Sequence, residues 1–189
     1  MSETLNRDGR LILLLGGARG GKSGYALKLA QDRERASGDE VCFIATAEGL
    51  DDDMTGRISR HRAERPSNWR TIEEPCQIDE ALKQASGARI VVVDCLTMFV
   101  SNWLVRHEDE LESEQFVRRI TRNFLEQTRT QRQTIICVTN EVGLGVVPDT
   151  SLGRIFRDLL GRVNQEFAAA ADEVYLLIAG LPVQLKPTA

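Results

Sequence analysis

The feature that most narrows the possible folds is an apolar run, Leu11-Ile12-Leu13-Leu14-Leu15, passing directly into Gly16, Gly17, Ala18, Arg19, Gly20, Gly21, Lys22 and Ser23. A strand with no polar alternation has both faces covered, as in a parallel sheet between helices. The eight residues after it match G-x-x-x-x-G-K-[ST], the phosphate-binding loop. Glycines there let the main chain wrap closely around phosphate oxygens, with amide N–H groups turned inward. In that setting Lys22 neutralises the β- and γ-phosphates of ATP or GTP, and the Ser23 hydroxyl is a ligand for Mg²⁺. The competing reading of these residues is an ordinary Gly-rich turn. The strand before and the helix after are the context that the phosphate loop requires.

The rest of the chain repeats the strand–helix alternation. Residues 22–36 read as a helix with Tyr25, Leu29 and Ala36 on or near one face, stopped by Ser37-Gly38-Asp39. Residues 41–45, 90–94, 134–138 and 174–179 read as buried strands, 69–72 as a short one and 183–185 as a further one. A short helix opens on Asp51, Asp52 and Asp53, where carboxylates suit the positive end of the helix dipole, and it ends before Pro66. Helices are also expected over 78–85, 97–104, 113–130 and 151–170. In the third of these Phe116, Ile120 and Phe124 face the sheet; in the last, Ile155, Leu159, Val163 and Phe167 do. This order predicts right-handed βαβ crossovers and an α/β P-loop NTPase, RecA-like, with a mostly parallel sheet flanked by helices on both faces. Residues 1–10 read as a polar extension and 11–189 as one domain. Ligands of such sheets sit beyond the carboxyl ends of the strands, so chemistry is sought there.

Composition excludes several classes. A net charge of −4 argues against a general nucleic-acid binder. No stretch approaches the roughly 20 apolar residues of a membrane span, and the polar first ten residues lack a signal core, so a cytoplasmic protein is expected. Cys42, Cys76, Cys95 and Cys137 form no CxxC pair, and with two histidines a zinc site has little to draw on. Reduced packing cysteines are the expectation.

Three further segments fall on the ligand-binding rim. Asp94 closes the strand Val91-Val92-Val93, the position from which an acid holds Mg²⁺ directly or through water; the alternative is a cap on the next helix. His61 lies among Arg57, Arg60, Arg62 and Arg65, and shares a helical face with Met54 and Ile58. Alone it reads equally as a structural histidine or as a covalent nucleophile toward phosphorus, the arginines suiting a phosphate-rich neighbour. Thr139, Asn140, Glu141, Val142 and Gly143 follow another buried strand and read as a turn at the rim. Arg154, Arg157, Arg162, Asn164 and Gln165 read as the solvated face of the last long helix. His107, in a charged stretch, reads as a solvated surface residue.

Taken in order, these segments resemble the bifunctional adenosylcobinamide kinase / adenosylcobinamide-phosphate guanylyltransferase family of cobalamin biosynthesis, over residues 11–185. The resemblance rests on the phosphate loop, Phe43-Ile44-Ala45-Thr46, Asp51-Asp52-Asp53-Met54, His61 with Arg65-Pro66, and Trp69-Arg70-Thr71. It continues through Thr139-Asn140-Glu141-Val142-Gly143 and Gly161-Arg162-Val163-Asn164-Gln165. It implies that a nucleoside triphosphate, ATP or GTP, phosphorylates the aminopropanol hydroxyl of adenosylcobinamide. GTP then guanylylates the enzyme, and GMP passes to adenosylcobinamide phosphate. By resemblance His61 carries the GMP on a movable helix, and Lys22 serves both reactions. Ala45, Thr46, Ala47, Arg62, Ala63, Glu64, Arg65, Glu73 and Asp94 match nucleotide-site positions, with Mg²⁺ on Ser23 and Asp94. A homotrimer is implied, with a corrinoid and nucleotides as its small-molecule partners.

Two departures stand out. Some relatives have a His-His pair where this chain has Arg60-His61, and some have Glu in place of Asp94. A simple P-loop small-molecule kinase, or a non-catalytic nucleotide switch, would account for the loop and Asp94 but leave His61 and its arginines unused.

Overall fold

A computed structural model describes residues 9–49, 52–107 and 109–187, with backbone alone at 52–54 and 57. Seven strands form one sheet in the order β3-β2-β4-β5-β1-β6-β7. These are β1 (Arg10–Gly16), β2 (Val41–Ala45), β3 (Arg70–Glu73), β4 (Ile90–Asp94), β5 (Thr134–Val138), β6 (Glu173–Ile178) and β7 (Leu181–Lys186). All neighbours are parallel except β6 and β7, which form an antiparallel hairpin at one edge. The helices are α1 (Lys22–Ser37), α2 (Asp52–Ala63), α3 (Ile78–Gln84), α4 (Leu96–Arg106), α5 (Glu110–Thr130) and α6 (Ser151–Ala170).

The unbroken apolar strands behave as their composition requires. Leu11, Leu13 and Leu15 of β1 enter one core and Ile12 and Leu14 the other, and β4 divides Val91 and Val93 from Ile90 and Val92 in the same way. The two covers are unequal. α3, α4, α5 and α6 pack on one face, while α1 covers the other, aided by Trp69. That asymmetry brings the rim residues of β4 and β5 against α4 and α6, and leaves the α1 face to the phosphate loop.

Several expectations are corrected. The sheet-facing residues of α1 are Ala26 and Ala30, with Tyr25 and Leu29 only partly covered and Ala36 exposed. Small side chains let this helix lie close to the sheet that it leaves through the loop. α5 begins three residues before the expected Ser113, because Asp109 accepts hydrogen bonds from the Leu111 and Glu112 amides and caps it. Within α5 the fully buried apolar residues are Val117, Ile120 and Phe124. Phe116 instead stacks on Trp103 with ring centroids 4.9 Å apart. His107 is not a solvated residue: it stacks on Trp103 with ring centroids 4.9 Å apart and lies 5.8 Å from the Phe116 ring. Asn164 is buried rather than part of a solvated helix face. Asp51, expected in the α2 start, lies outside the described residues.

Phe124 of α5 and Phe167 of α6 are fully buried with ring centroids 5.5 Å apart, joining the two long helices over the sheet. Phe167→Ala should cost about 3–5 kcal/mol of unfolding free energy, the range for an aromatic removed from a packed core. Urea denaturation measures it, and a loss below about 1 kcal/mol would show that α5 and α6 do not share one core.

Candidate active site

The turn after β1 can be made only with glycine at two positions. A Cβ on Gly16 would lie 2.5 Å from the Leu177 carbonyl oxygen of the neighbouring strand. Gly21 has φ 89°, in the left-handed region that L side chains avoid, and it starts α1. The β6–β7 turn backs the loop, its Gly180 amide donating to the Gly20 carbonyl at 3.1 Å. Gly17, Ala18 and Arg19 are exposed at the tip.

Lys22 turns back across the loop and is only 7% exposed, its Nζ donating to the Gly17 carbonyl at 2.7 Å. Burial lowers its pKa, opposed by the negative charge of Asp94. Asp94 stands opposite, at the end of β4. Desolvation pushes its carboxyl above the usual carboxylate range. The Ser23 hydroxyl, His61, Arg65 and Lys22 each pull it back part of the way. Asp94 is therefore the point at which the phosphate loop and the α2 segment meet. The Ser23 hydroxyl and Asp94 carboxylate are hard oxygen donors side by side, the chemistry Mg²⁺ prefers, and they fit that ion. Among the described residues no group of three His, Cys, Asp or Glu could hold a metal. Two protein oxygens supplemented by phosphates is the usual arrangement for Mg²⁺.

His61 lies in the last turn of α2, with its side chain 47% exposed and Nδ1 3.9 Å from the Glu64 carboxylate. No described side chain of α2 is fully buried, so this helix stands off the sheet. Ala63 is exposed beside it. Arg62 pairs with Glu73 at the end of β3. Arg65 is half-buried, its guanidinium 3.8 Å from the Phe43 ring centroid, and its Nε has no hydrogen-bond partner among the described residues. Burial lowers its pKa, while Asp94 raises it.

The segment after β2 is braced rather than open. Thr46 is fully buried, its hydroxyl donating to the Cys95 carbonyl and accepting from the Cys95 amide, both at 2.7 Å. Asn102 of α4 holds the Thr46 and Pro75 carbonyls at 2.8 and 3.0 Å. Ala45 and Ala47 are half-buried on either side. Cys95 itself is pushed up to about 12 by burial, so it stays a thiol. Thr46 is thus engaged through both its side chain and its main chain, its amide donating to the Asp94 carbonyl at 3.1 Å.

Sequence reasoning quoted the residues after β5 and in α6 without joining them. The Thr139 hydroxyl donates to Asn164 Oδ1 at 2.8 Å, and Asn164 Nδ2 donates to the Asn140 carbonyl at 3.0 Å. The Asn140 amide reaches the Thr97 hydroxyl at 2.7 Å, and the Glu141 amide reaches the Gly16 carbonyl at 3.1 Å. This network pins the post-β5 turn to the phosphate loop. Beside it, Leu15, Glu141, Arg157, Arg162 and Gln165 line a cleft of about 520 Å³. The only signal in the sequence was two polar motifs at the right distance, since a buried asparagine on a helix looks like any other polar helix residue.

A family model described as "Cobinamide kinase / cobinamide phosphate guanyltransferase" matches residues 12–185. The chain is 38% identical to the bifunctional adenosylcobalamin biosynthesis protein CobU of Escherichia coli, over 93% of this chain and 99% of that one. It is 41% identical to the bifunctional adenosylcobalamin biosynthesis protein CobP of Pseudomonas aeruginosa, over 92% of this chain and 96% of that one. Among solved structures, a KaiC-like protein of Pyrococcus horikoshii superposes with a TM-score of 0.50 at 17% identity, covering 88% of this chain and 70% of its own. That likeness concerns the fold, a P-loop NTPase sheet with its helices.

The raised Asp94 carboxyl has a consequence for stability. In the unfolded chain it titrates near the ordinary value, so the fold carries a penalty for the charged form once the pH exceeds that value, and none below it. Asp94→Asn should therefore raise the thermal midpoint of the nucleotide-free protein at pH 7. The gap should close as the pH falls toward about 4. A variant less stable than its parent at pH 7 would show that the charged carboxylate stabilises the fold.

Proposed function

The chain belongs to the cobinamide kinase / cobinamide phosphate guanyltransferase family, and from that premise we propose how one site carries out both reactions. The observation that carries the reading is the meeting of Ser23, Lys22, Arg65 and His61 around Asp94. A nucleophile from α2 stands within electrostatic reach of the residues that hold phosphates.

In the first reaction the triphosphate of ATP or GTP lies in the phosphate loop. Its amides and Lys22 take up the charge of the β- and γ-phosphates while the aminopropanol hydroxyl of adenosylcobinamide attacks the γ-phosphorus; the bond from that phosphorus to the β-phosphate oxygen breaks, the nucleoside diphosphate leaves, and the hydroxyl proton passes to solvent. Lys22 releases the Gly17 carbonyl to do so, exchanging one acceptor for the phosphate oxygens. In the second, an imidazole nitrogen of His61 attacks the α-phosphorus of GTP, forming a P–N bond and breaking the bond to the β-phosphate. Pyrophosphate leaves, its charge met by Lys22 and the loop amides. A phosphate oxygen of adenosylcobinamide phosphate then attacks the same phosphorus, giving adenosylcobinamide-GDP and returning the free imidazole. Nδ1 of His61 is turned toward Glu64, which favours Nε2 as the attacking atom. Ser23 and Asp94 would hold Mg²⁺, which when bound supplies charge neutralisation at the phosphates.

Arg65, stacked on Phe43 with an unpartnered Nε, and Arg62, exchangeable from Glu73, are the cations we assign to the guanylyl group. Ala45, Thr46 and Ala47 contribute the shape of the nucleotide wall, and Ala63, Glu64 and Glu73 complete it. Closure of α2 over the nucleotide is supported by the absence of a buried side chain among its described residues. A homotrimer is supported by the exposed apolar residues Ile178, Leu181, Val183 and Leu185 of the β6–β7 hairpin. A cytoplasmic location is consistent with a chain in which, among the described residues, no helix is long and apolar enough to cross a membrane.

Incubation with α-labelled GTP tests the covalent step. The parent should take up acid-labile, base-stable label that leaves when adenosylcobinamide phosphate is added. His61→Asn should lose the label while triphosphate-dependent phosphorylation of adenosylcobinamide largely survives. If both activities fell together, His61 would be structural. Lys22→Ala should depress both reactions by roughly 10²-fold or more, the scale for removing one preorganised charge-stabilising group.

A further inference from the structure

The connection between β5 and α6 turns an apolar face to solvent at the rim of the candidate site. Leu144, Val146 and Val147 are 85%, 93% and 60% exposed. From Val142 to Pro148 the chain carries no charged side chain. A single exposed aliphatic residue is ordinary on any protein surface. Three within four positions, in a loop that water would otherwise favour as polar, mark a surface that something covers.

The loop is held at both ends. At its start the Glu141 amide donates to the Gly16 carbonyl at 3.1 Å, and the Gly143 amide donates to Glu141 Oε1 at 2.8 Å. At its end Arg154 Nη1 donates to the Pro148 and Asp149 carbonyls at 3.1 and 2.9 Å, and the Thr150 hydroxyl caps α6 by accepting from the Gly153 amide. A surface ordered in advance gives up little conformational entropy when a ligand settles on it.

Position decides what that ligand is. Glu141 and Gly143, at the root of the loop, line one side of the cleft of about 520 Å³, and Arg157, Arg162 and Gln165 of α6 line the other. Both arginines are already paired, with Asp158 and Glu114, so the cleft is polar without an unmet charge. One hydrogen bond, from Glu141 to Gly16, separates this surface from the phosphate loop. A nucleotide gripped by that loop needs no uncharged aliphatic face. The molecule that must bring a hydroxyl to its terminal phosphorus does.

We propose that Leu144, Val146 and Val147 are positioning residues for the acceptor, a platform on which the methyl-bearing edge of the corrin ring lies, with the cleft beside them taking its amide side chains. The inference rests on the functional reading above, in which adenosylcobinamide and its phosphate are the acceptors. A corrin carries methyl groups and primary amides around one wide ring. The methyls bury against aliphatic side chains, and the amides find donors and acceptors in Gln165 and Glu141. Contacts remote from the reacting atoms fix where the aminopropanol hydroxyl stands.

Leu144→Ser combined with Val146→Ser in the full chain tests the platform. Both side chains are exposed, so the double variant should fold as the parent does, which a melting curve checks. Equilibrium dialysis of adenosylcobinamide, followed by its visible absorbance, should show saturable binding to the parent and binding weaker by about tenfold or more to the variant. The KM for adenosylcobinamide in the phosphorylation reaction should rise in step while kcat at saturation is largely kept. Label uptake from α-labelled GTP involves no acceptor and should match the parent, as should the mass found by sedimentation. Unchanged affinity and KM overturn the platform. A changed mass assigns the loop to a contact between subunits, and a parallel loss of label uptake assigns it to the fold; either result also overturns it. A parent that binds no adenosylcobinamide at all fails the functional reading itself, whereas parent binding unmoved by the serines fails this inference alone.

Discussion

A buried ammonium organises this protein. Lys22 has lost most of its water and has one carbonyl, that of Gly17, in return. Desolvated cations are costly unless paired, and the pairing here is incomplete: Asp94 is near enough to favour the charge, while its carboxylate accepts a hydrogen bond from the Ser23 hydroxyl. The arrangement is stable enough to fold and better satisfied by phosphates. Everything around it serves to hold the loop rigid. Gly16 is pressed against β6, Gly20 is fixed by the β6–β7 turn, and the Gly16 carbonyl is fixed by Glu141 after β5.

In the proposed reactions the covalent step falls to an element of opposite character. α2 lies at the rim with none of its described side chains buried, and His61 near its end is about half exposed. A covalent carrier must meet a nucleotide and then a bulky acceptor at the same phosphorus. A helix anchored in the core could not give way between those two encounters. The anchoring falls instead to its neighbours: Thr46 and Asn102 lock the ends of β2 and β4 together, and Arg65 rests on Phe43. A rigid floor and a loosely held helix therefore share one acidic residue between them.

How much of this was legible from residues alone follows from the range of the forces involved. Strands β4 and β5 have the limits read from their apolar runs, because burial on both faces leaves few polar residues to blur them, and α6 has the limits read from its amphipathic pattern, with Thr150 capping its start. Ends set by single capping bonds were missed, as at Asp109, and so was the face of α1, where Ala26 and Ala30 outrank larger neighbours because close approach to the sheet matters more than size. Histidine 107 looked solvated because its charged sequence neighbours hide the stacking partner, Trp103, which is one helical turn away.

The linear order of residues, by itself, determined the phosphate loop, the parallel α/β scaffold and the candidacy of His61, since each depends on contacts within a few positions or on a pattern repeated along one element. Only the tertiary structure decided that Thr46 faces inward, that Asn164 holds Thr139 and Asn140 against the loop, and that Arg62 meets Glu73. Those pairings join residues that the chain keeps far apart, and a charge or a hydrogen bond acts on distance in space, which no spacing along the sequence encodes.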